Sequence, residues 1–167
     1  MGSILSGYLK QRDLRNFARN QAMRISGQLG AVDDQVHRII RDDICSQCEL
    51  ARSTYLHHYV IGVLDSITSF YERETRRRLG LDLYREIFVR YLCARFQISR
   101  SEAETLFAEA SEKLNKESGL IEDGYADGLA ALRSGCRASR LLNHFSRRVS
   151  RTADSPADVP RLVAVAG

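Results

Sequence analysis

DDICSQCELARSTYLHH, residues 42–58, decides how the chain folds, because the apolar pattern changes phase inside it. Upstream, Val36, Ile39, Ile40 and Ile44 share one side of a helical wheel drawn at about 100° per residue. Downstream, Cys45, Cys48, Tyr55, Tyr59, Val63 and Phe70 fall nearly opposite. Either one helix is buried on both sides or the chain breaks between residues 45 and 50. A break would place Cys48 near a helix N-terminus, where a thiolate is stabilised. The stretch holds no glycine or proline to make that break. The pattern therefore predicts core cysteines on the stripe of Tyr55 and Tyr59, free cysteine being among the most buried residue types.

Two cysteines followed by two histidines also invite a metal or redox reading. On a straight helix His57 and His58 stand about 120° and 220° away from Cys45, so the four side chains cannot close a tetrahedron. A zinc finger needs a turn between its ligand pairs and separated histidines, whereas these are adjacent. A CxxC metal or redox protein is thus the third functional reading, and no metal ligand or cofactor is assigned.

Outward from this stretch the periodicity is helical everywhere. Ile4, Leu5, Tyr8, Leu9, Phe17, Ala18, Met23 and Ile25 outline a first amphipathic helix over 3–26, ended by Gly27 and Gly30. Asp33 or Asp34 opens a second, carboxylates being favourable in a first turn. The downstream stripe runs through Ile67 and Tyr71 to the arginines of TRRRLG. A third helix spans residues 82–96, and Ser101 with Glu104 has the capping-box spacing that opens a fourth. GLIEDGYADGLAALRSG is interrupted by glycines that read as helix ends and restarts. Its Glu122, Asp123 and Asp127 lack the alternating ligands of a calcium loop. A last helix runs from Cys136 to about Arg151, and both prolines lie in the tail beyond it. The expectation is all-α: an irregular bundle of five or six helices, with residues 1–150 as a single helical domain and 151–167 as a flexible C-terminal tail.

At 167 residues, 44% hydrophobic and 28% charged, the chain suits one soluble domain. No apolar run reaches the ~18 residues of a membrane span, and no secretory leader is evident, so a cytoplasmic protein is expected. Four cysteines without framework spacing read as reduced thiols. Arginine supplies 22 of the 25 basic residues, a bias in keeping with a GC-rich bacterial genome. MGSILS satisfies the acylation pattern at Gly2, which matters only in a cell with the transferase. Glycine-rich phosphate loops, GxSxG and HExxH are absent from the sequence, and an enzyme is not expected.

Two segments point to partners. Residues 92–107 have helix-turn-helix spacing: small Cys93, apolar Phe96, a turn at Gln97 where glycine is usual, Ile98, Ser99 as cap, then Ala103 and Leu106. The following helix is acidic, with Glu102, Glu104, Glu109, Glu112 and Glu117, whereas a surface approaching phosphates should be basic. The segment reads first as a packing corner and second as a DNA reader.

Six arginines and no acid lie between Arg133 and Arg151, while 19 basic residues face 21 acidic ones elsewhere. On a wheel Arg137, Arg140, His144, Arg147, Arg148 and Arg151 occupy one side, and Leu141, Leu142, Phe145 and Val149 the other. Such a face either solvates the bundle, pairs with the acidic helix of residues 102–117, or meets an acidic partner. Neither nucleic-acid aromatics nor a tryptophan anchor accompanies it, so an acidic protein surface ranks ahead of nucleic acid, and a membrane surface comes last. A homo-oligomer is left open. The sequence thus suggests a non-enzymatic interaction or adaptor protein that uses this last helix, with a DNA-binding regulator using residues 92–107 as the alternative.

Overall fold

Residues 56–68 contain Leu56, Tyr59, Val60, Val63, Leu64 and Ile67 at helical spacing, and polar residues on the other sides of the same helix are also buried: His57, His58, Ser66 and Thr68. A helix buried around its whole circumference must be surrounded by others. In the computed structural model it is the central member of an all-α bundle. The structure describes residues 29–75, 81–114, 116, 118–134 and 139–153. Among them are seven α-helices, one 3-10 turn and no strand: α1 (Gly30–Arg41), α2 (Gln47–Ala51), α3 (Thr54–Thr75), α4 (Leu81–Phe96), α5 (Arg100–Leu114), the turn Ser118–Ile121, α6 (Glu122–Ser134) and α7 (Arg140–Ala153). Helices α4, α5 and α6 pack on α3, and α7 lies against α1 and α6. The helix expected over 3–26, the end of α3 in TRRRLG, Cys136, Arg137 and the expected tail beyond residue 153 lie outside the described residues, while residues 151–153, expected to belong to that tail, continue α7. None of the described helices is long and apolar enough to cross a membrane.

The phase change at residues 42–58 is a break. α1 ends with Asp43 in the left-handed region at φ 53°. The amide of Asp43 donates to the Ile40 carbonyl (3.2 Å) and that of Ile44 to the Ile39 carbonyl (3.0 Å), the paired bonds of a Schellman motif. Aspartate tolerates this conformation because its side chain is short and polar. α2 then starts at a capping box: Ser46 Oγ accepts from the Glu49 amide (3.3 Å), and the Ser46 amide donates to Glu49 Oε2 (3.2 Å). The break corrects the reading of a shared cysteine stripe. Cys45 is half-buried at the edge of the core, Cys48 is exposed, and Phe70 at the far end of the expected stripe is 42% exposed. The histidines are the core residues instead. His57 Nε2 donates to the Ala51 carbonyl at the end of α2 (2.8 Å), and His58 Nε2 to the Ala110 carbonyl of α5 (3.3 Å).

α6 corrects a second expectation. Gly124 and Gly128 do not end helices but lie inside one, facing Gly62 and Ser66 of α3. A Cβ at Gly124 would stand 2.0 Å from the Tyr59 carbonyl oxygen, and one at Gly62 2.3 Å from that of Ile121. The crossing is therefore a backbone-to-backbone contact that only glycine allows.

The corner between α4 and α5 has the expected shape. Gln97 takes the left-handed position at φ 58°, and Phe96 and Ala103 are buried on either side. The cap is Ser99, whose Oγ accepts from the Glu102 amide (3.1 Å), so α5 is capped two residues before Ser101 and begins at Arg100. Arg100 bridges Glu86 (2.7 Å) and Glu104 (3.1 Å) across the corner. α1 likewise starts at Gly30 rather than at Asp33, which sits in its first turn and pairs with Arg95 of α4 (2.9 Å).

Alanine normally exceeds glycine in a helix interior by about 1 kcal/mol. Gly124→Ala is expected to do the reverse and lower the unfolding free energy by about 1–3 kcal/mol in urea titrations followed by circular dichroism. Gly30→Ala, whose Cβ would meet nothing within 4 Å, should be neutral or stabilising in the same measurement.

Candidate functional site

α7 is amphipathic, and its apolar side docks through buried Leu141 and Phe145 with Leu142 partly covered. What fixes it in place is polar. The first amides of any helix lack partners within it. Here side chains of two other helices supply them. Asp127 Oδ2 of α6 accepts from the amides of Ser139 (3.2 Å) and Arg140 (3.0 Å), and Gln35 Oε1 of α1 accepts from the amide of Leu142 (3.2 Å). Tyr59 of α3 joins the two: its hydroxyl donates to Asp127 Oδ2 (2.6 Å) and accepts from Gln35 Nε2 (2.8 Å). Gln35, Tyr59 and Asp127 are 2%, 1% and 7% exposed. Burial and the adjoining carboxylate push the Tyr59 phenol far above its ordinary value, so it stays protonated and keeps donating.

The next turn of α7 meets the start of α3. The His144 ring stacks on Tyr55 with centroids 3.5 Å apart and planes 7° from parallel. Tyr55 in turn donates to Asp123 Oδ2 (2.7 Å). Arg140 stands between the two aspartates, its Nε 3.7 Å from Asp123 Oδ1 and its Nη1 3.6 Å from Asp127 Oδ1. Burial first, and then the Arg148 guanidinium, hold the His144 pKa below its ordinary value of 6.5, favouring the neutral ring.

Over this stack opens a cleft of about 420 Å³. Arg140, Asn143, His144, Arg147 and Arg148 line one side of it, and Tyr55 and Asp123 the other. A second cleft of about 520 Å³ shares Tyr55 and Asp123 as its wall and reaches His58, Lys113 and Leu120. Of the six basic-face residues, Arg140, His144, Arg147 and Arg148 thus come together at one cleft. Arg151 belongs to α7 by its backbone, its side chain lies outside the described residues, and Arg137 lies outside them altogether. Arg140 finds its counterions on α6, whereas Glu102 and Glu104 of the acidic helix pair with Arg52, Arg85 and Arg100. Helix α7 begins at Arg140, with Ser139 at its non-helical start.

Chemically the cleft is rich in donors. Three guanidinia, an amide and an imidazole face one carboxylate, and both oxygens of that carboxylate are already engaged by Tyr55 and Arg140. It can hold an anion. Among the described residues no group of three His, Cys, Asp or Glu is placed to hold a metal ion. Cys45 is held above its ordinary thiol pKa by burial and by Glu49, the opposite of an activated thiolate.

Asp127→Ala removes the acceptor of three hydrogen bonds and should cost about 2–4 kcal/mol of stability. Hydrogen exchange of the α7 amides should accelerate more than that of α3, and equal protection in both helices would contradict the anchoring role. A pH dependence follows from His57, whose pKa is depressed below 6.5 chiefly by burial. The unfolded chain binds this proton more readily than the folded one, so the stability contribution is complete above about pH 6.5 and erodes as the pH falls below it. Urea midpoints should therefore fall between about pH 7.5 and 5.5, and His57→Gln should flatten that slope.

Comparison of the chain with protein-family models, with curated proteins and with solved structures gives no match.

Proposed function

We propose that the chain is a non-enzymatic cytoplasmic adaptor that binds an acidic surface of another protein through the outer face of α7. The observation that carries this reading is the gathering of Arg147 and Arg148 with Arg140, Asn143 and His144 at one open cleft. The helix docks through Arg140, His144, Leu141 and Phe145. Guanidinia on a docked helix make charge-assisted, forked contacts to carboxylates or phosphates at little ordering cost. The acidic, ion-paired surface of α5 supports the same choice over DNA: Arg100, the basic residue at its start, is occupied by Glu86 and Glu104.

Retention of the full chain on immobilised poly-glutamate tests this reading. Arg147→Glu with Arg148→Glu should weaken retention at least about tenfold, since like charges brought together cost several kcal/mol. Thermal unfolding should stay close to that of the unaltered chain. Retention unaffected by the reversal would refute the role of this face. Retention on duplex DNA that collapses as salt rises would favour the helix-turn-helix alternative.

A further inference from the structure

We infer that the second cleft, walled by the start of α3, the end of α5 and the start of α6, binds a small zwitterion of amino-acid type, its carboxylate at Lys113 and its ammonium at Glu122. The assignment stands apart from the proposed role of α7.

The charges single out this ligand class. Lys113 of α5 and Glu122 of α6 both line the cleft, yet among the described residues neither is ion-paired. An ammonium has three donors, and Lys113 directs one of them to the Thr54 hydroxyl oxygen in a long contact of 3.5 Å. The other carboxylate in the lining is spent: Asp123 takes the Tyr55 hydroxyl on one oxygen and faces Arg140 with the other. One positive and one negative charge are therefore available, on different walls. A simple anion entering the cleft would meet Glu122 as a like charge, and a simple cation would meet Lys113, whereas a zwitterion matches both. Thr54, accepting from Lys113, keeps its own hydroxyl hydrogen for the carboxylate.

Size and shape agree. At about 520 Å³ the cleft lies within the range of small-ligand sites, which combine an apolar lining with a few placed polar groups. Here Tyr55, Leu120 and the buried His58 ring supply the lining between the charged walls. Gly119 keeps the space beside the carboxylate open: a Cβ there would stand 3.6 Å from Glu122 Oε1, an ordinary contact that the fold tolerates. The lining is held before any ligand arrives, Tyr55 by Asp123 and the stack on His144, His58 by its bond to the Ala110 carbonyl. A site that needs no ordering retains more of its contact energy as affinity.

The test is a nuclear magnetic resonance titration of the isotopically labelled full chain at constant ionic strength, with phenylalanine, N-acetylphenylalanine, phenylalanine amide and glycylphenylalanine as separate ligands. Phenylalanine should shift the backbone amides of Gly119 and Leu120 in a saturable way. The acetyl and amide forms, each lacking one charge, should bind at least about tenfold more weakly. Glu122→Gln should abolish the preference for phenylalanine over its N-acetyl form, and Lys113→Gln the preference over the amide, a pairing of variant with ligand that general loss of structure does not produce. Gly119→Ala should weaken phenylalanine binding while circular dichroism stays unchanged. Arg147→Ala, at the other cleft, should change nothing, and a loss of binding there would move the site and overturn the inference. Tighter binding of glycylphenylalanine than of phenylalanine would assign the two charges to the ends of a short peptide, and the reverse order to a free amino acid; either supports the zwitterion. Equal binding of phenylalanine and both capped forms, or no saturable shift from any ligand, would overturn it.

Discussion

A carboxylate as buried as Asp127 is expensive to desolvate unless its lone pairs are filled, and the way they are filled organises half of the molecule. One oxygen takes the Tyr59 hydroxyl and the amides of Ser139 and Arg140, and the other faces the Arg140 guanidinium. The positive end of the α7 dipole adds to the same stabilisation. Because the donors come from α3 and α7 and the acceptor from α6, satisfying one buried charge specifies where three helices meet. Gln35 extends the constraint to α1 by bonding both Tyr59 and the Leu142 amide.

This network is reachable only because α6 runs unusually close to α3. Gly124 and Gly128 bracket Asp127 in sequence, and their missing side chains let the α6 backbone settle on Tyr59, Gly62 and Ser66. Each glycine costs a helix interior up to about 1 kcal/mol. The cost is offset by backbone contact along the crossing and by bringing Asp127 to 2.6 Å from the Tyr59 hydroxyl. Sterics and electrostatics are thus coupled on one face of one helix: a side chain at Gly124 would push away the helix that carries the carboxylate.

The all-α class, the corner at Gln97 and the two-sided character of the last helix were legible because each is a local pattern of period 3.6 or a local turn. The break after α1 was legible in principle. Ser46 and Glu49 form an S-x-x-E signature as clear as the one at Ser101 and Glu104, and Ser99 with Glu102 forms another, which α5 uses. What hides the break is that no glycine or proline marks it, Asp43 taking the left-handed position instead. The glycines of α6 misled in the opposite direction, since the same residue ends helices and allows them to touch, and only the neighbour decides which. The polar anchor of α7 could not be read at all. Gln35, Tyr59, Asp127 and Leu142 lie 24 to 107 residues apart along their hydrogen bonds, and each alone passes for an ordinary core or surface position.

The basic face of α7 divides along its length. Its start is spent inward: Arg140 on two aspartates and, one turn on, His144 on Tyr55. The following turn places Arg147 and Arg148 side by side at the cleft, with Arg151 four residues beyond Arg147. Like charges at that spacing oppose helix formation by a few tenths of a kcal/mol. The helix dipole compensates cations only within the final turn, which covers Arg151 but not the pair at 147 and 148. Helix propensity does not reward their crowding. A local arrangement that departs from what stability favours, on an element otherwise anchored with care, is where a binding surface is to be sought.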